Sequence, residues 1–417
     1  MEIIRDQTFD QERALYGQQD LLVKNCSFDG PADGESAFKE CRDIGVADCF
    51  FNLRYPFWHD TGLTVENCAL TPLCRAALWY TEDVTIRNSK LHGIKALREC
   101  GRVTLENCDV ESAEFGWFTR GIAMDSCSVR GEYFMLRSYD LHFRNVSLKG
   151  KYSFQYIENG VFENCDFDTK DAFWHAKNVT VRNSTIRGEY LAWYSENVTF
   201  ENCTISGTQP LCYCKGLKLV NCRMENADLC FEKSQVEATV VNQVISIKNP
   251  MEGFVCAESA ELIFDDPQAR GIVVSPRLSD GEKAKTILSG GGYTCVMCRG
   301  TDIRTTALRG VKPLVQWLEE GGFAGFHAAD KVVGKATAYL YQLLGVSSVY
   351  AQIMSESARR VLESAKIPNS CGTLVNHIIN RKGDGICPFE AAVSDIADPL
   401  EAKAAIYRKM EEMGITI

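Results

Sequence analysis

The stretch "EYLAWYSENVTFENCTISG", residues 189–207, decides the fold, because "TKDAFWHAKNVTVRNSTIR", residues 169–187, repeats its grammar one period earlier. Each contains a Trp, then a β-branched run, then Asn followed by Cys or Ser. Stepping back by 19 from Asn202 gives Asn183, Asn164, Asn145, Ser126, Asn107 and Asn88. A step of 21 reaches Asn67, 19 more Asp48, and 23 more Asn25, while 19 forward gives Asn221. Self-similarity at a fixed short period is the signature of a solenoid, and eleven rungs are legible.

Each column of the repeat has a physical reading. Aliphatic residues lie two and four places before the Asn, as in Ile86 and Val84 or Phe200 and Val198, the period of a half-buried strand. After the Asn the inward pattern resumes on the opposite parity, as in Cys108 and Val110 or Cys203 and Ile205. That switch predicts a corner at the Asn, a residue that tolerates left-handed backbone angles and whose amide bonds to its equivalent one rung away. Five residues later Gly93, Gly131, Gly150, Gly188 or Gly207 marks a second corner. Three short strands per coil describe a parallel β-helix, and the coils resemble those of the right-handed, pectate-lyase-like family.

The outward residue before each Asn reads Glu66, Arg87, Glu106, Asp125, Arg144, Glu163, Arg182, Glu201, a charge ladder rather than a pair of catalytic carboxylates. The third strand carries Trp58, Trp79, Trp117, Trp174 and Trp193 nine places before the Asn. Tyr80, Phe118, Tyr156, Tyr194 and Tyr213 stand at minus eight, with His175 among them. Alternation predicts that one column faces in. The Trp column is expected inside, leaving an exposed strip with Tyr80, Phe154, Tyr156, His175, Tyr194 and Tyr213 to stack on a carbohydrate or nucleobase or to dock a domain.

Composition narrows the partners. A net charge of -10 argues against nucleic acid or an anionic membrane and leaves neutral or cationic ligands. The first residues show no signal-peptide pattern and no apolar run is long enough to span a bilayer, so a cytoplasmic setting is expected. The nineteen Cys then read as reduced core residues.

The repeat loosens after Asn221, and residues 1–278 are expected to form the β-helix with its capping coils. "SDGEKAKT", residues 279–286, reads as a linker. Residues 287–417 turn to mixed α/β: a hairpin about Gly300, Thr301 and Asp302, then alternating helices and strands, with "FAGFHA" a strand and "DKVVGKATAYLYQLLG" a helix. "GVKPL" at 310–314, "ADKVVGKATA" at 329–338 and "NRKGDGICPFE" at 380–390 resemble an uncharacterised bacterial family of cytidine-deaminase-like fold. The preceding β-helix resembles a second uncharacterised bacterial family with Asn-Cys rungs. The resemblance implies a three-layer α/β domain and brings no established activity.

Zinc deaminases need a ligand with a Glu two residues on, and then a Pro-Cys-x-x-Cys. Here His327 is followed by Ala328 and Ala329, and Cys387-Pro388 is reversed and lacks its second Cys. Zinc deamination is therefore disfavoured, no metal or cofactor is expected, and Cys295 and Cys298 read as structural. The candidate catalytic residue is Cys387 at a helix start, with Glu390 closing the cap. Asp330, Lys331 and Lys335 are expected to begin another helix whose free N–H groups receive a phosphate-bearing or nucleotide-like small molecule, with Arg381 and Asp384 flanking it. Two readings stay open: a ligand-binding domain carried on a β-helix scaffold, and a thiol enzyme whose substrate is recruited by the aromatic strip.

Overall fold

In the computed structural model, which describes residues 2–380 and 382–416, the chain forms two compact units. The first comprises residues 1–251 and 259–269, the second residues 252–258 and 270–417. The first is a parallel β-helix. Strands Lys177–Arg182 and Glu196–Glu201 pair in parallel with Val179 opposite Val198, and Thr185–Arg187 pairs with Thr204–Ser206 with Ile186 opposite Ile205. The sequence period of 19 is thus the register of the sheet.

The Asn column turns the chain as its chemistry predicts: Asn25, Asn67, Asn107, Asn164 and Asn202 all have φ between 51° and 53°. Asp6, 19 residues before Asn25, has φ 55° and adds a twelfth corner to the eleven legible in the sequence. Amide bonds link Asn221 to Asn202 at 2.9 Å, Asn202 to Asn183 at 3.3 Å and Asn107 to Asn88 at 2.8 Å. A further corner, which the parity switch at the Asn does not predict, lies five places before the column. There Asp140, Asn159, Asn178 and Asn197 have φ of 53–59° and form a second ladder with bonds of 3.1–3.2 Å. Its signal was present as the recurrent Asp, Asn or Gly at minus five.

The glycine column reflects close approach. A Cβ on Gly131 would lie 2.1 Å from the Ser112 carbonyl oxygen, and one on Gly150 would lie 1.8 Å from that of Gly131. Inside, Phe28 stacks on Phe51 with centroids 4.5 Å apart, and Cys108, Cys127, Cys165 and Cys203 are buried.

The expectation that the Trp column faces inward is corrected. Trp58, Trp79, Trp117, Trp174 and Trp193 are partly exposed, and the buried residue is the one before, Phe57, Leu78, Gly116, Phe173 and Ala192. The column after the Trp has left-handed backbone, φ 56° at Tyr80, 57° at Tyr156 and 59° at Tyr194. This breaks the alternation, so two adjacent columns both look outward. Phe154, expected outside, is fully buried.

The second unit is an α/β domain. The residues expected as a linker are instead the start of helix α1 (Asp280–Gly290), held by Ser279 and Glu282 in a reciprocal capping box. The other helices are α2 (Lys312–Glu320), α3 (Lys335–Leu344), α4 (Glu356–Ser364), α5 (Pro388–Ala392) and α6 (Pro399–Glu412). The strands are β1 (Cys295–Arg299), β2 (Asp302–Thr306), β3 (His327–Val333), β4 (Ser348–Ser355) and β5 (Asn369–Val375). The sheet order is β2-β1-β3-β4-β5, with β1 antiparallel to both neighbours and β3, β4 and β5 parallel.

Helix α1 packs Ala284, Ile287 and Leu288 against Val296, Cys298 and Ala329 on one face of the sheet. Cys295, Met297 and Ala328 face the other core, with Leu340 and Ile406. Cys295 and Cys298 therefore point to opposite faces, as alternation requires.

Candidate functional site

The residues expected to form one ligand site in the second unit divide into separate groups. Asp330 and Lys331 do not begin a helix; they lie within strand β3, which starts at His327, and only Lys335 opens α3. The Asp330 carboxylate accepts from the Tyr341 hydroxyl at 2.6 Å and from the Val332 amide at 3.0 Å, and the Cys295 thiol lies 3.1 Å from the same hydroxyl. Burial pushes Asp330 up to about 6 against the pull of these donors. Lys331 donates its backbone N–H to Thr294. Asp384 sits in an exposed loop where the Asn380 amide reaches it at 2.8 Å. Arg381 lies outside the described residues.

Glu390 is the hub of what remains. It does not cap α5; its Oε1 accepts from the Ser357 hydroxyl at 2.6 Å and from the Lys335 amide at 3.3 Å, and its Oε2 from the Ile378 amide at 2.6 Å. The start of α3, expected to be open to an anion, thus holds the chain's own buried carboxylate. The Lys335 ammonium donates to the Ser394 carbonyl at 2.6 Å, and desolvation lowers its pKa. Cys387 is half-buried at the N-cap of α5, a helix of five residues, and its N–H donates to the Ile378 carbonyl. These bonds give α3, α4, α5 and the loop at Ile378 a common anchor.

His327 lies at the start of β3 with its Nδ1 2.8 Å from the Ser348 hydroxyl on β4. The two are register partners across the sheet, a pairing that the sequence did not announce.

On the β-helix the rings of the aromatic strip stack on one another. Tyr156, His175, Tyr194 and Tyr213 have successive centroids 4.7, 5.2 and 4.8 Å apart with interplanar angles of 7–12°. Arg137 covers the outer face of the series at Tyr156, 5.3 Å from its centroid. Tyr80 stacks on His59, and Phe118 lies under Arg98. The strip offers ring edges, because its faces are used in the ladder.

The neighbouring Trp column is equally engaged. The Trp58, Trp117, Trp174 and Trp193 indole N–H groups donate to carbonyls 16 or 18 residues on, at 2.6–2.9 Å. Gln155 makes the same bond with its side-chain amide, and Arg98 lies between Trp79 and Trp117 at 5.2 and 5.0 Å. Gln155 thus reproduces the bond that a Trp makes there, and Arg98 fills the space between two indoles.

An open groove of about 590 Å³ runs along the Asn corner of the first four rungs, lined by Asp6, Thr8, Asn25, Ser27, Asp48 and Phe50 among others. Here the ladder is interrupted. Asn25 donates to Asp6 at 2.5 Å and Asn67 to Asp48 at 3.2 Å. Asp48, as a carboxylate, has no N–H to pass on to Asn25 Oδ1. Its other oxygen meets Lys24 at 3.4 Å. The groove therefore gathers the acceptor oxygens of Asp6, Asn25 and Asp48 beside the Thr8 and Ser27 hydroxyls, and Phe50, 40 % exposed, enters no ring stack among the described residues. The sequence carried the signal as Asp in a column of Asn, and the rung count alone absorbed it.

Among the described residues no group of three His, Cys, Asp or Glu side chains converges to hold a metal ion, and no helix is long and apolar enough to cross a membrane.

A family model described as "Protein of unknown function (DUF3737)" matches residues 2–273, well over half of the chain. The chain belongs to this family. A second model, "Domain of unknown function (DUF1893)", matches residues 283–410, so both parts of the chain fall in families without an assigned activity. No curated protein matches. Among solved structures, the chain is similar to a DUF1893 family protein from Thermotoga maritima at 22% identity and a TM-score of 0.30, covering 31% of this chain and 88% of that one. It is also similar to a surface adhesin of Streptococcus pneumoniae at 10% identity and a TM-score of 0.24, covering 57% and 73%. The A-module of a mannuronan C-5 epimerase from Azotobacter vinelandii is similar at 8% identity and a TM-score of 0.20, covering 64% and 86%.

Proposed function

We propose that the protein is a binding protein in which the β-helix recognises a carbohydrate-like, polyhydroxylated ligand at the corner groove of its first rungs. The observation that carries this reading is the interrupted ladder at Asp48. Paired Asp and Asn oxygens with Thr8 and Ser27 hydroxyls suit the vicinal hydroxyls of a sugar, and the unstacked Phe50 ring suits its C–H face. The stacked Tyr column lacks that free face.

The second unit is, in this reading, a deaminase-like fold without zinc chemistry. The order β2-β1-β3-β4-β5 with a single reversed strand and helices packed on both faces supports it. So does Glu390, whose carboxylate takes the N–H of Lys335 that an anionic ligand would need. Nineteen unpaired cysteines, most of them buried, favour a reducing cytoplasmic setting.

Titration calorimetry of the full chain with hexasaccharides of the cello, malto and chito series tests the function, with a polyamine as the cationic control. Binding of at least one series, weakened tenfold or more by Phe50→Ala and by Asp48→Ala, is expected. Polyamine binding alone, or oligosaccharide binding indifferent to both substitutions, would overturn it.

A further inference from the structure

Among the described residues, one inner column of the β-helix, otherwise made of hydroxyls, thiols and two apolar side chains, holds a single carboxylic acid. From the Asp48 rung onward, seven places before the corner stand Cys41, Asp60, Thr81, Cys100, Thr119, Ser138, Ser195 and Cys214, with the apolar Ile157 and Ala176 in the two rungs between Ser138 and Ser195, every one of them buried. The slot has a double duty. The side chain accepts an amide N–H from the rung before, as Ser138 does from Thr119 at 3.2 Å and Ser234 from Cys214 at 2.9 Å. It also donates to a carbonyl of that earlier rung: Thr81 to Phe57 at 2.9 Å, Ser195 to Phe173 at 2.7 Å and Cys214 to Ala192 at 3.0 Å.

Asp60, 1 % exposed, performs the accepting half, taking the Cys41 N–H at 2.8 Å on Oδ1. Its Oδ2 is buried with no partner among the described residues. A carboxylate has no proton to donate, whereas a neutral acid has one. The carbonyl equivalent to that of Phe57 is Phe38's, because Glu40 bonds to Trp58 as His59 bonds to Trp79.

We propose that Asp60 is a proton-operated lock of the β-helix: held as the neutral acid it donates to the Phe38 carbonyl as Thr81 does to Phe57, and ionisation releases the coil between the Asp48 and Asn67 corners. The groups acting on it among the described residues are the Cys41 amide, which favours the charged form, the Glu40 carboxylate, which opposes it, and the Cys41 thiol; none is a cation. Burial, the largest influence, pushes the Asp60 carboxyl from 3.8 up to about 8. The sign follows from linkage. A carboxyl raised in the folded state contributes stability that is complete below its unfolded value near 3.8 and is lost as pH rises to about 8, beyond which the loss is constant. Acidification closes the lock and alkali opens it.

The test is equilibrium unfolding of the full chain across pH 5 to 9.5 for the native protein, Asp60→Thr and Asp60→Asn. Expected is an unfolding constant that rises in the native protein relative to Asp60→Thr by up to tenfold per pH unit until about pH 8 and then runs parallel. A constant ratio of the two over the whole range would overturn the proposal. Should the variants fail to fold, carbon-13 NMR of the native Asp60 carboxyl decides alone: a neutral acid at pH 6 supports the lock, and an ionised one refutes it.

Discussion

The β-helix and the α/β domain solve the same problem, satisfying buried polar groups, in opposite ways. In the β-helix each solution is local and is copied along much of the stack, so an Asn at the corner, a Gly five places on and a hydroxyl or thiol inside recur from rung to rung. In the α/β domain a single side chain, Glu390, gathers donors from Lys335, Ser357 and Ile378, three segments far apart in sequence. Repetition makes a fault in the first region visible as a departure from its column. The second has no column, and its polar anchor can be recognised only once folded.

Backbone substitution should expose this contrast most strongly. Gly150→Ala places a Cβ against the Gly131 carbonyl, while Gly322, with left-handed backbone at the end of α2, has nothing within 4 Å of an added Cβ. Chemical denaturation should show a loss of about 4 kcal/mol or more for the first and about 1 kcal/mol for Gly322→Ala. Equal losses would mean that the rungs are free to separate.

Removing the hub of the α/β domain comes next. Glu390→Gln turns an amide N–H toward at least one of the three donors and should cost about 2–4 kcal/mol. Hydrogen exchange should then rise around Lys335, Ser357 and Ile378 and stay unchanged in the rungs. Loss of protection at neither place would show that the start of α3 is held by something else.

The smallest effect is predicted for the outer charge ladder. Arg182 lies 2.7 Å from Glu201 and 3.5 Å from Glu163, but all three are substantially exposed. Arg182→Ala should cost about 0.5 kcal/mol and become neutral in high salt. A loss of several kcal/mol would give the outer ladder a share of the stability assigned here to the glycine, asparagine and inner columns.

How much was legible follows the same division. The corner at Asn202, the core role of Cys203 and the pairing of Arg182 with Glu201 could be read because each has a column of equivalents. The Trp column was misjudged because strand alternation assumes extended backbone, and nothing in Tyr80 or Tyr156 announces a left-handed φ. Stacking on the next rung compensates that strain once the coil exists. In the α/β domain "HAADKVV" forms a strand where a helix beginning at Asp330 was expected, since pairing with β1 and β4 overrides local preference. The anchor at Glu390 was read as a helix cap, the only partner visible within three residues.

The groove at Asp48 unites both lessons, being a departure from the Asn column that also lines a groove. Hydrogen-exchange footprinting of the full chain with and without its tightest-binding hexasaccharide tests it most directly. Protection is predicted at residues 6–9, 25–28, 48–51 and 67–70, where the first four rungs turn. Protection confined to residues 327–392, with those corners unchanged, would contradict the account and return the binding function to the α/β domain.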